Sequence, residues 1–406
     1  MSFGGCFVPP AHRLTGGSAV ATSDDLPRMV LHDAAIENNI ALMAAFCESS
    51  GMLLAPHAKT HLSKELCDRQ RAAGAWGLTA ATTSQVRTLV AFGAPRILHA
   101  NLLVDAAAID FVASTFLAAD RAVEYLCYVD SAAGLQLLER RLETLAPART
   151  LRVLVELGFT GGRTGVRSES DARQLGHAVA ASNRLELAGV AGYEGLMPQG
   201  DGVFPDAAPE LLAGIRRLAT YFHEQGLFAG TPVVTAGGSS YFDLVAAELG
   251  PQNFGFEVLP VLRSGCYLTH DHGVYERTSP FGAELRSGIL GPDAGFQAAF
   301  ELQASVLSTP EPGRVIVGFG RREVPTDDRL PAVLGDLSGV LDTSGWTVTG
   351  VNDHHAYLRV PTDTRVAPGT VLRFGIGHPC GAFDRWRSIP LVDEHDAVIG
   401  ELTPAL

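Results

Sequence analysis

The chain's 406 residues are too many for one small core and suit a large domain with a smaller companion. Charged residues make up 18% and the formal net charge is −13, without long acidic runs, so nucleic acid and anionic membranes are not expected partners. Six scattered cysteines without C-x-x-C spacing, no basic-then-apolar leader and no apolar run of transmembrane length lead to the expectation of a cytoplasmic protein with reduced thiols.

Residues 1–28 are rich in Gly, Pro and polar side chains and read as an N-terminal arm, expected to pack with the second domain. From Met29 short apolar runs alternate with amphipathic ones. Strands are predicted at 29–32, 52–57, 76–80, 96–100, 125–129, 151–157, 186–193 and 232–236. Helices are predicted at 34–49, 62–73, 83–92, 105–119, 131–145, 168–182 and 207–226, with Asp130 and Ser168 as N-caps. About eight alternations favour a parallel α/β fold, a (β/α)8 barrel over residues 29–261, with an open doubly wound sheet as the competitor. Beyond residue 262 the strands at 299–307, 314–319, 347–351, 355–360 and 370–376 follow one another with no long helix between them. Residues 262–406 therefore read as a β-rich second domain.

Three stretches carry candidate chemistry. In Pro56-His57-Ala58-Lys59-Thr60-His61 an apolar strand runs into a lysine flanked by two histidines, at the barrel face where active sites are built. An amine there is placed to form a Schiff base with an aldehyde. Ala236-Gly237-Gly238-Ser239-Ser240 joins a late strand to a helix, and its backbone amides and serine hydroxyls suit an oxyanion such as phosphate. His378-Pro379-Cys380 offers imidazole and thiolate one residue apart, a pair suited to a borderline cation such as zinc and open to water or substrate. Asp353-His354-His355 is a further polar cluster, read as a neighbour of the active site.

The stretch "PHAKTH" resembles the cofactor-lysine motif of the D-serine dehydratase and D-threonine aldolase family, which is related to alanine racemase. The resemblance runs along nearly the whole chain through "VLHDAAIENNIALM", "VELGFTGGRTGV", "GYEG", "TAGGSSYFD", "LRSGCYLTHDHGVY" and "GHPCGAFDRWRSIPLVD". It implies a barrel that binds pyridoxal 5′-phosphate (PLP) on Lys59, followed by a β-domain carrying the metal ligands His378 and Cys380. His57, Arg163, Tyr193, Gly237, Gly238, Ser239, Gly265 and Tyr267 are implied around the cofactor, with Arg163 at its phenolate oxygen and Tyr193 near its ring.

The activity implied is a PLP-dependent, zinc-assisted, deaminating dehydratase acting on a D-β-hydroxy amino acid, D-serine or D-threo-3-hydroxyaspartate, with Lys59 as α-proton base. Retro-aldol cleavage of D-threonine-like substrates is the alternative. Aldolase members resemble H-x-D where this chain has Cys380, which favours zinc and the dehydratase. Racemisation and a non-catalytic PLP carrier rank lower. Residues 318–325, GFGRREVP, depart from the usual dehydratase pattern and look closer to amino acid deaminase relatives, leaving Arg321 or Arg322 as readers of a substrate carboxylate. A small-molecule amino acid is the expected partner, and a homodimer the expected assembly.

Overall fold

The computed structural model describes residues 25–119, 123–197, 207–283, 286, 290–291 and 294–405. Most of the N-terminal arm expected at 1–28 lies outside the described residues.

The chain opens with β1 (Arg28–His32) and α1 (Asp33–Ser50). An alternation follows: β2 (Leu53–Leu54), α2 (Lys64–Ala72), β3 (Leu78–Ala80), α3 (Thr83–Ala91), β4 (Arg96–Leu102) and α4 (Ala106–Phe116). It continues with β5 (Glu124–Val129), α5 (Ala132–Leu145), β6 (Leu151–Leu157), α6 (Glu169–Ala180), β7 (Leu185–Gly192), α7 (Ala208–Glu224), β8 (Val233–Ala236), α8 (Phe242–Leu249) and β9 (Leu259–Leu262). Strands β2 to β9 form one parallel sheet in the order β2-β9-β8-β7-β6-β5-β4-β3. A parallel bridge between His57 and Thr79 joins its two ends. The amides of Trp76 and Thr79 complete the seam by donating to the Leu54 and Pro56 carbonyls at 2.7 and 2.9 Å. The sheet is thus a closed eight-stranded barrel, not the open alternative.

Strand alternation explains the layering. In β6, Val153, Val155 and Leu157 face the helices, in one cluster with Leu175 and Val179 of α6. Leu154 points inward with Leu98, Leu126, Tyr128, Ala188, Val233 and Val261, which fill the barrel.

The second domain is a mixed sheet. Its strands are β10 (Phe300–Glu311), β11 (Arg314–Val317), β12 (Ala332–Asp336), β13 (Thr347–Val351), β14 (Ala356–Arg359), β15 (Val371–Gly375), β16 (Ile389–Val392) and β17 (Val398–Leu402). The only α-helix of this part among the described residues is the short α9 (Val274–Thr278), as a β-rich reading requires. Phe300, Leu302, Phe319, Phe374 and Phe383 centre its core.

One strand changes place relative to expectation. β1 does not open the barrel. It pairs antiparallel with β10 and parallel with β16, inside the second sheet. Met29, Val30 and Leu31 are all fully buried, so β1 needs cover on both faces, and the interior of that sheet provides it. The eighth barrel strand is β9, which sequence reading passes over because Pro260 interrupts its apolar run. The barrel proper therefore starts at β2.

Candidate active site

Every barrel strand ends on the same face, and the loops there meet the β-domain around a cavity of about 420 Å³. His57, Lys59, Tyr128, Glu156, Arg163 and Tyr193 line it from the barrel. Gly237, Gly238, Ser239 and Ser240 line it from the loop after β8, and Arg263, Gly265 and Cys266 from the segment after β9. Tyr275, His378 and Cys380 enter from the other side.

Lys59 sits on a single 3₁₀ turn, Ala58–Thr60, directly after the seam that closes the barrel. The turn is fixed on both sides. Ser63 caps α2 behind it, accepting from the Leu66 amide, and Gly265 presses against it in front. A Cβ at position 265 would lie 2.5 Å from the His57 carbonyl oxygen, so the two loops meet only because residue 265 is glycine. His57 is held well below the usual histidine range by burial first, and then by the cations of Lys59, Arg263 and Arg163. Its ring is therefore neutral at physiological pH, and its Nδ1 has no partner.

Arg163 is carried by the loop after β6, which Asp130 braces by accepting from the Gly165 amide at 3.2 Å. Asp130 does not cap α5 as expected. Ser131 takes that place, because its side chain reaches the Gly134 amide. Ser168 caps α6 as read from sequence. The Arg163 guanidinium lies 5.4 Å from the centre of the Tyr193 ring, so the two flank the same part of the cavity.

Tyr267 differs from its expected placement. Its hydroxyl is buried and accepts from Gln70 Nε2 at 3.0 Å, while its amide donates to Ser239 Oγ. It supports the Ser239 loop from behind, and its neighbour Cys266 faces the cavity instead. Arg263, in the stretch LRSGCY, is a site residue that no local sequence signal marks. It is buried and donates to Thr235 Oγ1 and the Gly192 carbonyl, both at 2.6 Å, placing a fixed cation on the cavity wall.

The β-domain side is held by close main-chain approach. The amides of His272 and Val274 donate to the Ile376 and Gly377 carbonyls at 2.8 and 3.0 Å. A Cβ on Gly273 would fall 2.0 Å from the Gly377 oxygen, so glycine is required there too. This seam sets His378 and Cys380 beside Cys266, and the three can present ligand atoms within 4.8 Å of one another. His378 Nδ1 hydrogen-bonds Asp327 Oδ2. Cys266 Sγ is 3.2 Å from Cys380 Sγ and 3.5 Å from Thr60 Oγ1. The thiol pair gives up its first proton more readily than an isolated cysteine, because the remaining S–H donates to the new thiolate, and its second proton far less readily.

Arg321, Arg322, His354 and Asp353 lie away from the cavity lining. Arg321 pairs with Asp353 at 2.6 Å, and His354 with Glu323 at 2.7 Å, on the surface of the β-domain. His355 is likewise absent from the lining.

The residues present fit an aromatic, phosphorylated aldehyde. The lining carries buried polar atoms without partners, His57 Nδ1, Tyr128 OH and Glu156 Oε2, as a polar guest would require. An amine stands at one side. At another, the Gly237–Ser240 loop leads into the N-terminus of α8. The Cys–His group fits a zinc-like cation.

Residues 299–392 match the family model described as "Putative serine dehydratase domain". The chain is 26% identical to a D-threonine aldolase of Arthrobacter sp over 93% of its own length and 91% of the relative's. It is 25% identical to a D-threo-3-hydroxyaspartate dehydratase of Delftia sp. (strain HT23) over 88% and 91%. Among solved structures, D-threonine aldolase from Filomicrobium marinum superposes with a TM-score of 0.77 at 24% identity, covering 94% of this chain and 95% of that one. An alanine racemase from Clostridium difficile 630 shares the fold at a TM-score of 0.63 and 13% identity, over 94% and 100%. The resemblance read from the motifs, and the barrel-plus-β-domain fold, are borne out.

Proposed function

We propose that this chain is a PLP-dependent, zinc-assisted dehydratase of a D-β-hydroxy amino acid such as D-serine or D-threo-3-hydroxyaspartate, releasing a keto acid and ammonia. The relatives support the broader assignment, since both are lyases of D-configured β-hydroxy amino acids by name. The observation that supports the narrower one is that the metal pair opening onto the Lys59 cavity is His378–Cys380, with a thiol where aldolase members resemble H-x-D.

When bound, PLP supplies an electron sink for the α-carbon and zinc supplies Lewis acidity at a β-oxygen. Lys59 would anchor the cofactor through Nζ, and the same amine is the group that would take the α-proton. Ser239, Gly237, Gly238 and the backbone around Gly265 hold the phosphate. Arg163 would donate to the phenolate side of the cofactor, and Tyr193 would pack against its ring. His378 and Cys380 hold the metal, and Asp327 on Nδ1 leaves Nε2 of His378 free to face it. Neutral His57 contributes a hydrogen bond without adding charge beside Lys59. The resemblance supports a homodimer as the working assembly.

The second reading is a retro-aldol lyase, favoured by the D-threonine aldolase relative. Incubation with D-serine, D-threonine and D-threo-3-hydroxyaspartate, followed by identification of products, separates the two. Keto acid with ammonia supports the dehydratase. Glycine or its equivalent with an aldehyde replaces it by the aldolase, and no cleavage of any of the three removes both.

A further inference from the structure

We propose that Cys266 is a third protein ligand of the metal, so that the site is a Cys₂His tripod with a single open position. The inference rests on the reading above that His378 and Cys380 hold a divalent cation.

The geometry is specific. Cys266 comes from the barrel side, on the turn that follows β9, whereas His378 and Cys380 follow β15. Their ligand atoms nonetheless gather within 4.8 Å. The sulfurs stand 3.2 Å apart. Two thiolates on one tetrahedral zinc, each at about 2.3 Å, lie about 3.8 Å from one another, so a small opening of the pair admits the ion. A disulfide would need approach to about 2.0 Å, a larger displacement in the opposite sense. The backbone carrying each ligand is held: Gly265 against His57, Gly273 against Gly377, and Thr60 Oγ1 on Cys266 Sγ itself. Three protein ligands with one vacancy is the pattern of catalytic rather than structural zinc. Two thiolates also set preference, favouring zinc over manganese or magnesium, which take harder oxygen donors.

The third ligand has a mechanistic consequence. With one open position, a β-hydroxyl competes with a single water for the metal. Because Cys266 is also the neighbour of Gly265, the metal is tied to the same turn that contacts the cofactor end of the cavity.

Zinc K-edge X-ray absorption on the full-length holoenzyme, stripped of metal and reloaded with one equivalent of zinc, counts the sulfur neighbours directly. We expect two sulfurs at about 2.3 Å in the wild type and one in each of Cys266→Ser and Cys380→Ser. Cys266→Ser should also lose zinc affinity by about a hundredfold or more, since changes to mere supporting groups already cost 10–100-fold. Retention of the visible cofactor band controls for folding. One sulfur in the wild type, unchanged by Cys266→Ser and lost in Cys380→Ser, overturns the tripod while leaving the metal reading intact. No zinc uptake by the wild type overturns both. If Cys266→Ser and Cys266→Ala both fail to fold, the wild-type sulfur count alone decides.

Discussion

His57 and Thr79 form the bridge that closes the barrel, and Lys59 follows the first of them by two residues. The amine that the proposed chemistry depends on is therefore mounted two residues beyond the seam that closes the barrel. Replacing Lys59 by Ala should remove the borohydride-reducible absorbance and lower turnover by at least about 10²–10⁴-fold, the range lost with a general base. Visible spectra before and after reduction check this, and a reducible band that survives in the variant would remove Lys59 from its role.

Gly265 touches the same turn from the front, with the His57 carbonyl where a side chain would go. Gly265→Ala should push the two loops apart, costing about 1–3 kcal/mol of stability as overpacking does. Thermal unfolding measures that cost. PLP titration should show weaker binding in the same variant, because the displaced turn carries Lys59.

Chelation should abolish turnover and leave the cofactor band unchanged, since Lys59 lies on a different segment from His378 and Cys380. Spectra and activity recorded on the same dialysed sample test this. Activity that persists after complete metal removal excludes zinc assistance.

Asp327 hydrogen-bonds His378 Nδ1 and thereby selects the nitrogen that faces the cavity. Asp327→Asn should weaken zinc binding by about tenfold without unfolding the protein, as loss of such an orienting carboxylate does. Competition with a chromophoric chelator gives the ratio.

Burial lowers the pKa of both His61 and His99 to about 4 in the folded protein. The unfolded chain, with histidine near 6.5, binds more protons between those values. Their stabilising contribution is thus complete above about pH 6.5 and is lost as pH falls towards 4, by up to about 3 kcal/mol each. The unfolding temperature should drop over that window, with His99→Gln showing a shallower decline than the wild type. An unchanged slope would mean that His99 is not buried in its neutral form.

How much of the fold and the site is legible in the sequence depends on distance along the chain. Lys59, Gly237–Ser239 and His378–Cys380 each declare themselves within a few residues, because strand ends, glycine pairs and H-x-C spacing are local signals. Cys266 is not legible in that way: its sulfur partner is 114 residues away, and an isolated cysteine reads as an inert thiol. Its one local clue is the place next to Gly265. The exchange of β1 for β9 has a similar origin. Periodicity identifies a strand but not its sheet, and β1 reads equally well in either. Tyr267 shows a different limit, since a motif locates a backbone but not the direction of the ring it carries.

The strand at Arg28–His32 lies between β10 and β16, so the domain that bears His378 and Cys380 is assembled from both ends of the described chain, with the whole barrel inserted in it. During synthesis the barrel strands are complete long before β16 emerges, and β1 waits without its neighbours until the last part is made. A cut after β9 would therefore not liberate an intact catalytic module. It would leave Met29, Val30 and Leu31 uncovered, and any attempt to graft or circularly permute this enzyme has to carry that strand along with the C-terminal portion.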